Sequence, residues 1–252
     1  MRIERFEKHP RVRVAFSGRA EGNQASHTGL EPEQVRAARA RLASELGVGP
    51  ERLSYMSQVH SARVAPAPAP GAEVPEADAL LDADGGLAPV VLTADCVPVA
   101  IAGRAGERTV LAVAHAGRPG LLAGVLEATL GALTEQGAGE LEAWIGPAIC
   151  GRCYEVPEAM RADAEARVPG ISARTSWDTP SLDLPGAAAS ILRRAGVLVH
   201  ASHACTLEDR AWFSYRGGDS APRNATLLWV DDDCASDPAS PLDAEPAEEE
   251  AK

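Results

Sequence analysis

The sequence predicts one folded unit of mixed α/β or α+β class, followed by a short acidic tail. Three observations predict it. Val- and Ala-rich apolar runs of strand length recur along the chain, and segments with one apolar helical face stand between them. At 252 residues and 45% hydrophobic content there is enough apolar surface for a full core, and one domain is the default at this size. From residue 231 the composition changes abruptly to nine acids, one Lys, Pro and Ala, so the tail holds −8 of the formal charge of −12. Such a segment has too little to bury to offset its ordering entropy. The expected division is therefore 1–230 as the folded domain and 231–252 as a disordered acidic tail.

Residues 11–16 alternate and read as a first strand, and the polar, turn-rich stretch 18–29 as a loop. Pro32 is a favoured first-turn residue of a helix. Val35, Ala38, Leu42 and Leu46 line one face of that helix, and Gly47 ends it. Residues 53–59 are strand-like and run into His60, and the Pro-rich stretch 65–75 is barred from a sheet interior. Residues 88–101 read as one long strand covered on both faces, and 109–114 as another. Gly117 to Gly120 break the chain, and 121–134 form an amphipathic helix. Residues 141–145 are a strand, and 158–167 and 185–195 are helices, the second closed by Gly196. Residues 197–201, 211–215 and 225–230 read as late strands.

Composition excludes several classes. With the tail set aside the body carries only −4, and nothing forms the basic face that nucleic-acid binding requires. No apolar run reaches membrane-spanning length. The first residues, MRIERFEKHPRVRV, are polar and form no secretory signal, and five cysteines, an odd number, fit reduced thiols, so a cytoplasmic protein is expected.

Three residues carry the chemistry. His60, Cys96 and His115 sit in SQVHSARV, LTADCVPV and AVAHAGRPG, at the ends of or inside strand-like segments. Two imidazoles and a thiolate suit a borderline-soft divalent metal, zinc first, with copper as an alternative. Three protein ligands leave a fourth position open, as in catalytic zinc sites. Asp95 directly precedes Cys96; in a regular strand the two face opposite sides, so Asp95 would orient a neighbour or cap a turn. Cys150 and Cys153 form a CxxC, half a zinc site with no second pair, and Cys205 and Cys234 have no visible partners. His200 and His203 read as structural. Residues 117–121 precede a helix, whose amides could hold an anion. Arg216 and Arg223, in FSYRGGDSAPRNA, are either phosphate- or carboxylate-binding groups or ordinary surface arginines.

The series FSGR, SQVHSARV, EADALL, LTADCVPVAI, AVAHAGRPG, IGPAICGRCYEV, SLDL and WFSYRGG with PRNATLLWV, in that order over about residues 11–230, resembles the YfiH-like proteins, also called the laccase-domain or multicopper polyphenol oxidase family. The resemblance implies a single-domain α+β fold of αββα type. It implies His60, Cys96 and His115 as metal ligands and phosphorolysis of adenosine, inosine or methylthioadenosine, with adenosine deaminase activity. A purine nucleoside and phosphate would be the partners, in a monomer or weak homodimer. Alternatives are a peptidoglycan editing factor hydrolysing a mis-made muropeptide precursor, a Cys96–His115 thiol hydrolase, and a copper polyphenol oxidase. The six histidines of the chain are too few for the additional three-copper cluster of a full multicopper oxidase. The candidate catalytic set is His60, Cys96, His115 and Asp95, with Asp78 or Glu155 as other proton carriers and Arg19, Arg118 and Arg216 as phosphate holders. One departure stands out. The family's HAGWRG is HAGRPG here, with Arg118 in place of Trp and Pro119 in place of Arg, so the positive charge has moved by one position. The stretch NQASHTGLEPEQ also departs from the family's pattern.

Overall fold

The computed structural model describes residues 1–26 and 31–231. The tail, apart from Asp231, lies outside the described residues. In chain order the elements are β1 (Arg2–Arg5), β2 (Val12–Phe16), α1 (Pro32–Glu45), β3 (Leu53–Ser54), β4 (Val64–Pro66), β5 (Ala79–Asp82), β6 (Ala88–Thr93), β7 (Val97–Ala105), β8 (Arg108–Ala116), α2 (Arg118–Leu122), α3 (Val125–Glu135), β9 (Gly139–Ile145), α4 (Glu158–Arg167), β10 (Ser172–Arg174), β11 (Pro180–Leu182), α5 (Leu184–Arg194), β12 (Leu198–Ala201) and β13 (Asn224–Val230).

Two sheets carry the fold. One has the order β1-β2-β13-β6-β3 and the other β12-β9-β7-β8-β5-β4; β10 and β11 pair separately. Strand alternation assigns each residue to a face. Val14 and Phe16 on β2, Val91 on β6 and Leu228 on β13 face Ala100, Ala102, Leu111 and Val113 of the second sheet in one buried layer. Their neighbours Ala15, Val90, Leu92, Leu227 and Trp229 turn outward and are covered by Leu42 of α1. On the far side Val99, Ile101, Val110, Ala112 and Ala114 meet α2, α3 and α5 through Leu121, Leu126, Leu133 and Ile191. Helix, sheet, sheet and helices therefore stack in four layers, the αββα arrangement. Sheets covered on both faces explain why β6, β7 and β8 read as unbroken apolar runs.

Several expected elements are redrawn. The single strand expected over 88–101 is two strands in different sheets. Asp95, with φ of 84°, turns the chain between β6 and β7. The run is a crossover, and Cys96 sits at its corner instead of within a strand. The helix expected over 121–134 is interrupted at Gly124, whose φ of 88° suits glycine and divides α2 from α3. The residues expected to break the chain after Gly117 are themselves the first turn of α2, where Pro119 is tolerated because early helical amides lack intrahelical partners. After Ser54 the chain leaves the sheet, so residues 55–60 are a loop and not a strand. Residues 211–215 are turns, their amides drawn to side chains: Phe213 N to Asn224 Oδ1 at 2.9 Å and Ser214 N to Asp219 Oδ2 at 2.9 Å. Strands β1, β4, β5, β10 and β11 were not anticipated, each being only three or four residues long.

Candidate metal centre

The sequence separations of 36 from His60 to Cys96 and 19 from Cys96 to His115 disappear in three dimensions. His60 ends the loop after β3, Cys96 occupies the corner between β6 and β7, and His115 lies near the end of β8, whose register sets it opposite Pro98. One ligand atom from each lies within 4.8 Å of the others. Cys96 Sγ is 3.8 Å from His60 Nε2, and the two imidazole centroids are 4.6 Å apart. Tetrahedral zinc, with bonds of about 2.0–2.3 Å, needs donor separations of roughly 3.3–3.8 Å, so the set fits with little adjustment. His115 is buried, Cys96 half-buried and His60 exposed, so the centre opens to solvent on the His60 side.

Asp78, wholly buried, organises the two histidines. Its carboxylate accepts from the backbone N–H of His60 (2.9 Å) and Ser61 (2.6 Å), from Ser61 Oγ (2.8 Å) and from His115 Nδ1 (2.8 Å). Taking the Nδ1 proton fixes the tautomer and turns Nε2 toward the centre. His60 itself holds φ of 59°, a conformation costly for a residue with a side chain and sustained here by these bonds. Gly117 is required for a different reason. A Cβ there would come within 2.8 Å of His60 Cδ2 and 3.0 Å of Cys96 Sγ.

The charges follow from this packing. Burial works against ionisation of Asp78, but the His115 and Ser61 hydrogen bonds override it and hold the carboxyl at about 2. Burial likewise disfavours a Cys96 thiolate, yet His115 and His60 bring the thiol down to about 6. For His115 burial disfavours the cation, while Asp78 and Cys96 raise it to about 9. Without metal the site is thus a thiolate–imidazolium pair braced by a carboxylate, and a dication would replace the imidazolium proton.

The centre lies in the wall of a cavity of about 370 Å³ that is also bordered by Tyr154, Tyr215, Arg216 and Arg223. Tyr215 is 58% exposed. Arg216 lies over the Tyr154 ring, 4.8 Å from its centroid, and donates to Glu155 O at 3.1 Å.

The other expected residues separate. Asp95 borders the cavity, but its carboxylate accepts from Thr206 Oγ1 (2.6 Å), Ser214 Oγ (2.7 Å) and Arg216 N (2.7 Å), so it positions the Arg216 loop. Arg19 pairs with Asp219, donates to Arg210 O at 3.0 Å and does not border the cavity. Arg118, at the start of α2, is half-buried and acts on the Tyr154 hydroxyl. Glu155 accepts from Trp177 Nε1 at 2.8 Å. His200 is structural: it stacks on Trp144 and lies 2.8 Å from Glu142 Oε1. Cys205, which had no visible partner in sequence, joins Cys150 and Cys153 in a second cluster. Tyr154 and Tyr215 gave no signal, since lone tyrosines in turns are common; Asp78, in EADALL, gave only a weak one.

The profile of a family described as multi-copper polyphenol oxidoreductase laccase matches residues 14–231. The chain belongs to this family. Among its relatives, a Streptomyces griseus protein named purine nucleoside phosphorylase is 45% identical over 224 residues, covering 86% of this chain and 90% of that one. A Streptomyces coelicolor protein of the same name is 46% identical, covering 83% and 88%. The crystal structure of a Neisseria meningitidis protein is similar at a TM-score of 0.75 with 32% identity, over 88% of this chain and 95% of that one. Family membership and these names support an enzyme. Among the described residues no helix is long and apolar enough to cross a membrane.

Proposed function

We propose that this family member is a metal-dependent purine nucleoside phosphorylase, taking adenosine, inosine or methylthioadenosine with inorganic phosphate. The observation that carries the reading is one cavity that combines the His60, Cys96 and His115 donors with an exposed aromatic ring, Tyr215, and two cationic side chains, Arg216 and Arg223. Its volume suits a nucleoside-sized ligand. The names of the Streptomyces relatives support the same substrate class.

In this reaction a phosphate oxygen bonds to the ribose C1′ as the C1′–N9 bond breaks. The bonding electrons leave with the purine, which takes up a proton, and the other product is ribose 1-phosphate, or its 5-methylthio form from methylthioadenosine. Tyr215 stacks on the flat base, and Arg216 and Arg223 offset the phosphate charge. Arg223 is held for this by its backbone N–H, which donates to Asn23 Oδ1 at 2.8 Å. Burial raises the Tyr154 hydroxyl above its ordinary value despite Arg118 beside it, so it stays protonated and is a hydroxyl donor on the cavity wall toward the leaving base. Zinc held by His60, Cys96 and His115 would supply Lewis acidity to an oxygen anion.

We place phosphorolysis ahead of adenosine deamination. Deamination needs a carboxylate to carry protons beside the metal. Among the described residues the cavity's one carboxylate is Asp95, and its oxygens are occupied. The low Cys96 thiol favours one second reading, a Cys–His thiol hydrolase.

The test is metal analysis of protein purified without added metal, followed by incubation with adenosine, with and without phosphate, and product identification by mass. Zinc with phosphate-dependent adenine release supports the proposal, and inosine would add deamination. No purine product from zinc-loaded protein refutes it and turns attention to muropeptide hydrolysis. Activity that survives chelation but not iodoacetamide assigns the thiol mechanism.

A further inference from the structure

We propose that Cys150, Cys153 and Cys205, with Glu208 as fourth donor, form a second metal site for a zinc-type dication that braces one wall of the cavity. The four side chains each place a ligand atom within 4.8 Å of the others. Thiolate–zinc bonds of about 2.3 Å require sulfur separations of roughly 3.8 Å, so the cluster needs only a small contraction. The ligands come from two segments far apart in sequence. A tight turn carries Cys150 and Cys153, with Cys153 N donating to Cys150 O at 2.9 Å. The chain beyond β12 brings Cys205 alongside through a parallel bridge to Ala148, secured by Thr206 N donating to Ala148 O at 3.1 Å.

The chemistry of the cluster favours a cation over packing or a disulfide. The Cys150 amide donates to Cys205 Sγ at 3.4 Å, which fixes that sulfur beside the CxxC turn. A disulfide would use two sulfurs and leave the third buried beside it. Cys153 and Cys205 are buried, whereas Cys150 is half-buried and Glu208 lies on the rim, paired with Arg152 at 3.5 Å, so an ion has a route in.

The site's place explains its use. Asp95 is gripped by the segments on both sides of the cluster: Ile149 N donates to its carbonyl at 3.0 Å, and Thr206 Oγ1 to its carboxylate at 2.6 Å. Tyr154, which borders the cavity, follows Cys153 directly. A metal joining 150–153 to 205–208 would lock these supports together, a structural site behind a catalytic one.

The test removes the first centre and reads the second. A His60→Ala/Cys96→Ser protein, with the second cluster intact, is stripped and titrated with cobalt(II). One equivalent bound, with intense sulfur-to-cobalt charge-transfer absorption, is expected. Wild-type protein is expected to hold two zinc ions per chain by elemental analysis, and Cys150→Ser/Cys205→Ser one. In the latter, faster hydrogen exchange over 148–156 and 205–216 is expected. No thiolate–cobalt absorption in the first variant overturns the proposal, as does a disulfide among these cysteines in protein purified under reducing conditions. None of these measurements depends on purine turnover, so the two proposals fail separately.

Discussion

Asp78→Asn is the most informative single substitution. The carboxylate receives donors from the His60 loop and from His115 at 2.6–2.9 Å. An amide keeps the shape but loses the charge and turns an NH₂ toward a donor. Folding lowers the Asp78 pKa from 3.8 to about 2. At about 1.4 kcal/mol per unit this is roughly 2–3 kcal/mol of stability, in line with hydrogen bonds to a charged group. Because the folded pKa is depressed, that contribution is complete above pH 3.8 and is lost as pH falls toward 2. Urea unfolding of metal-free protein at pH 7 should therefore show a loss of roughly 2–3 kcal/mol, narrowing below pH 3.8. Removing the partner that orients His115 should also weaken zinc binding by about 10–100-fold in a chelator competition. A variant within about 0.5 kcal/mol of wild type, with unchanged zinc affinity, would refute the role given to Asp78.

Other substitutions probe different layers. Gly117→Ala sets a Cβ 2.8 Å from His60 and should abolish stoichiometric metal binding while circular dichroism stays native; full metal content would show the loop yields freely. Tyr215→Ala should raise KM for the nucleoside by about 10-fold, the loss of a stacking contact of about 1–1.5 kcal/mol, with stability unchanged because the ring is exposed. Leu111→Ala, between the sheets, should cost about 2–5 kcal/mol in chemical denaturation, and a loss below about 1 kcal/mol would contradict the two-sheet core.

Much of the fold was legible because local rules act over a few residues. Pro32 opens α1, and Gly196 follows α5 within two residues. Residues 225–230, read as a late strand, belong to β13. What failed did so for tertiary reasons. An apolar run covered on both faces has no alternation to mark where it changes sheet, so the corner at Asp95 was invisible. Residues 211–215 have strand composition, but Asp209, Asn224 and Asp219 accept the backbone N–H groups of Ala211, Phe213 and Ser214 in place of a neighbouring strand.

The sequence by itself determined the donor chemistry: two imidazoles and a thiol beside small residues, in motifs ordered as in one family. Their identities are local facts, whereas the requirement for glycine at position 117 comes from the approach of His60 and Cys96 in space. Only the tertiary structure decided that His60, Cys96 and His115 meet, that Asp78 rather than Asp95 orients the two histidines, and that Cys205 joins a cluster with the CxxC. Those meetings depend on two sheets packing face to face and on one crossover between them. Such contacts join residues far apart in the chain, where no periodicity along the sequence can register them.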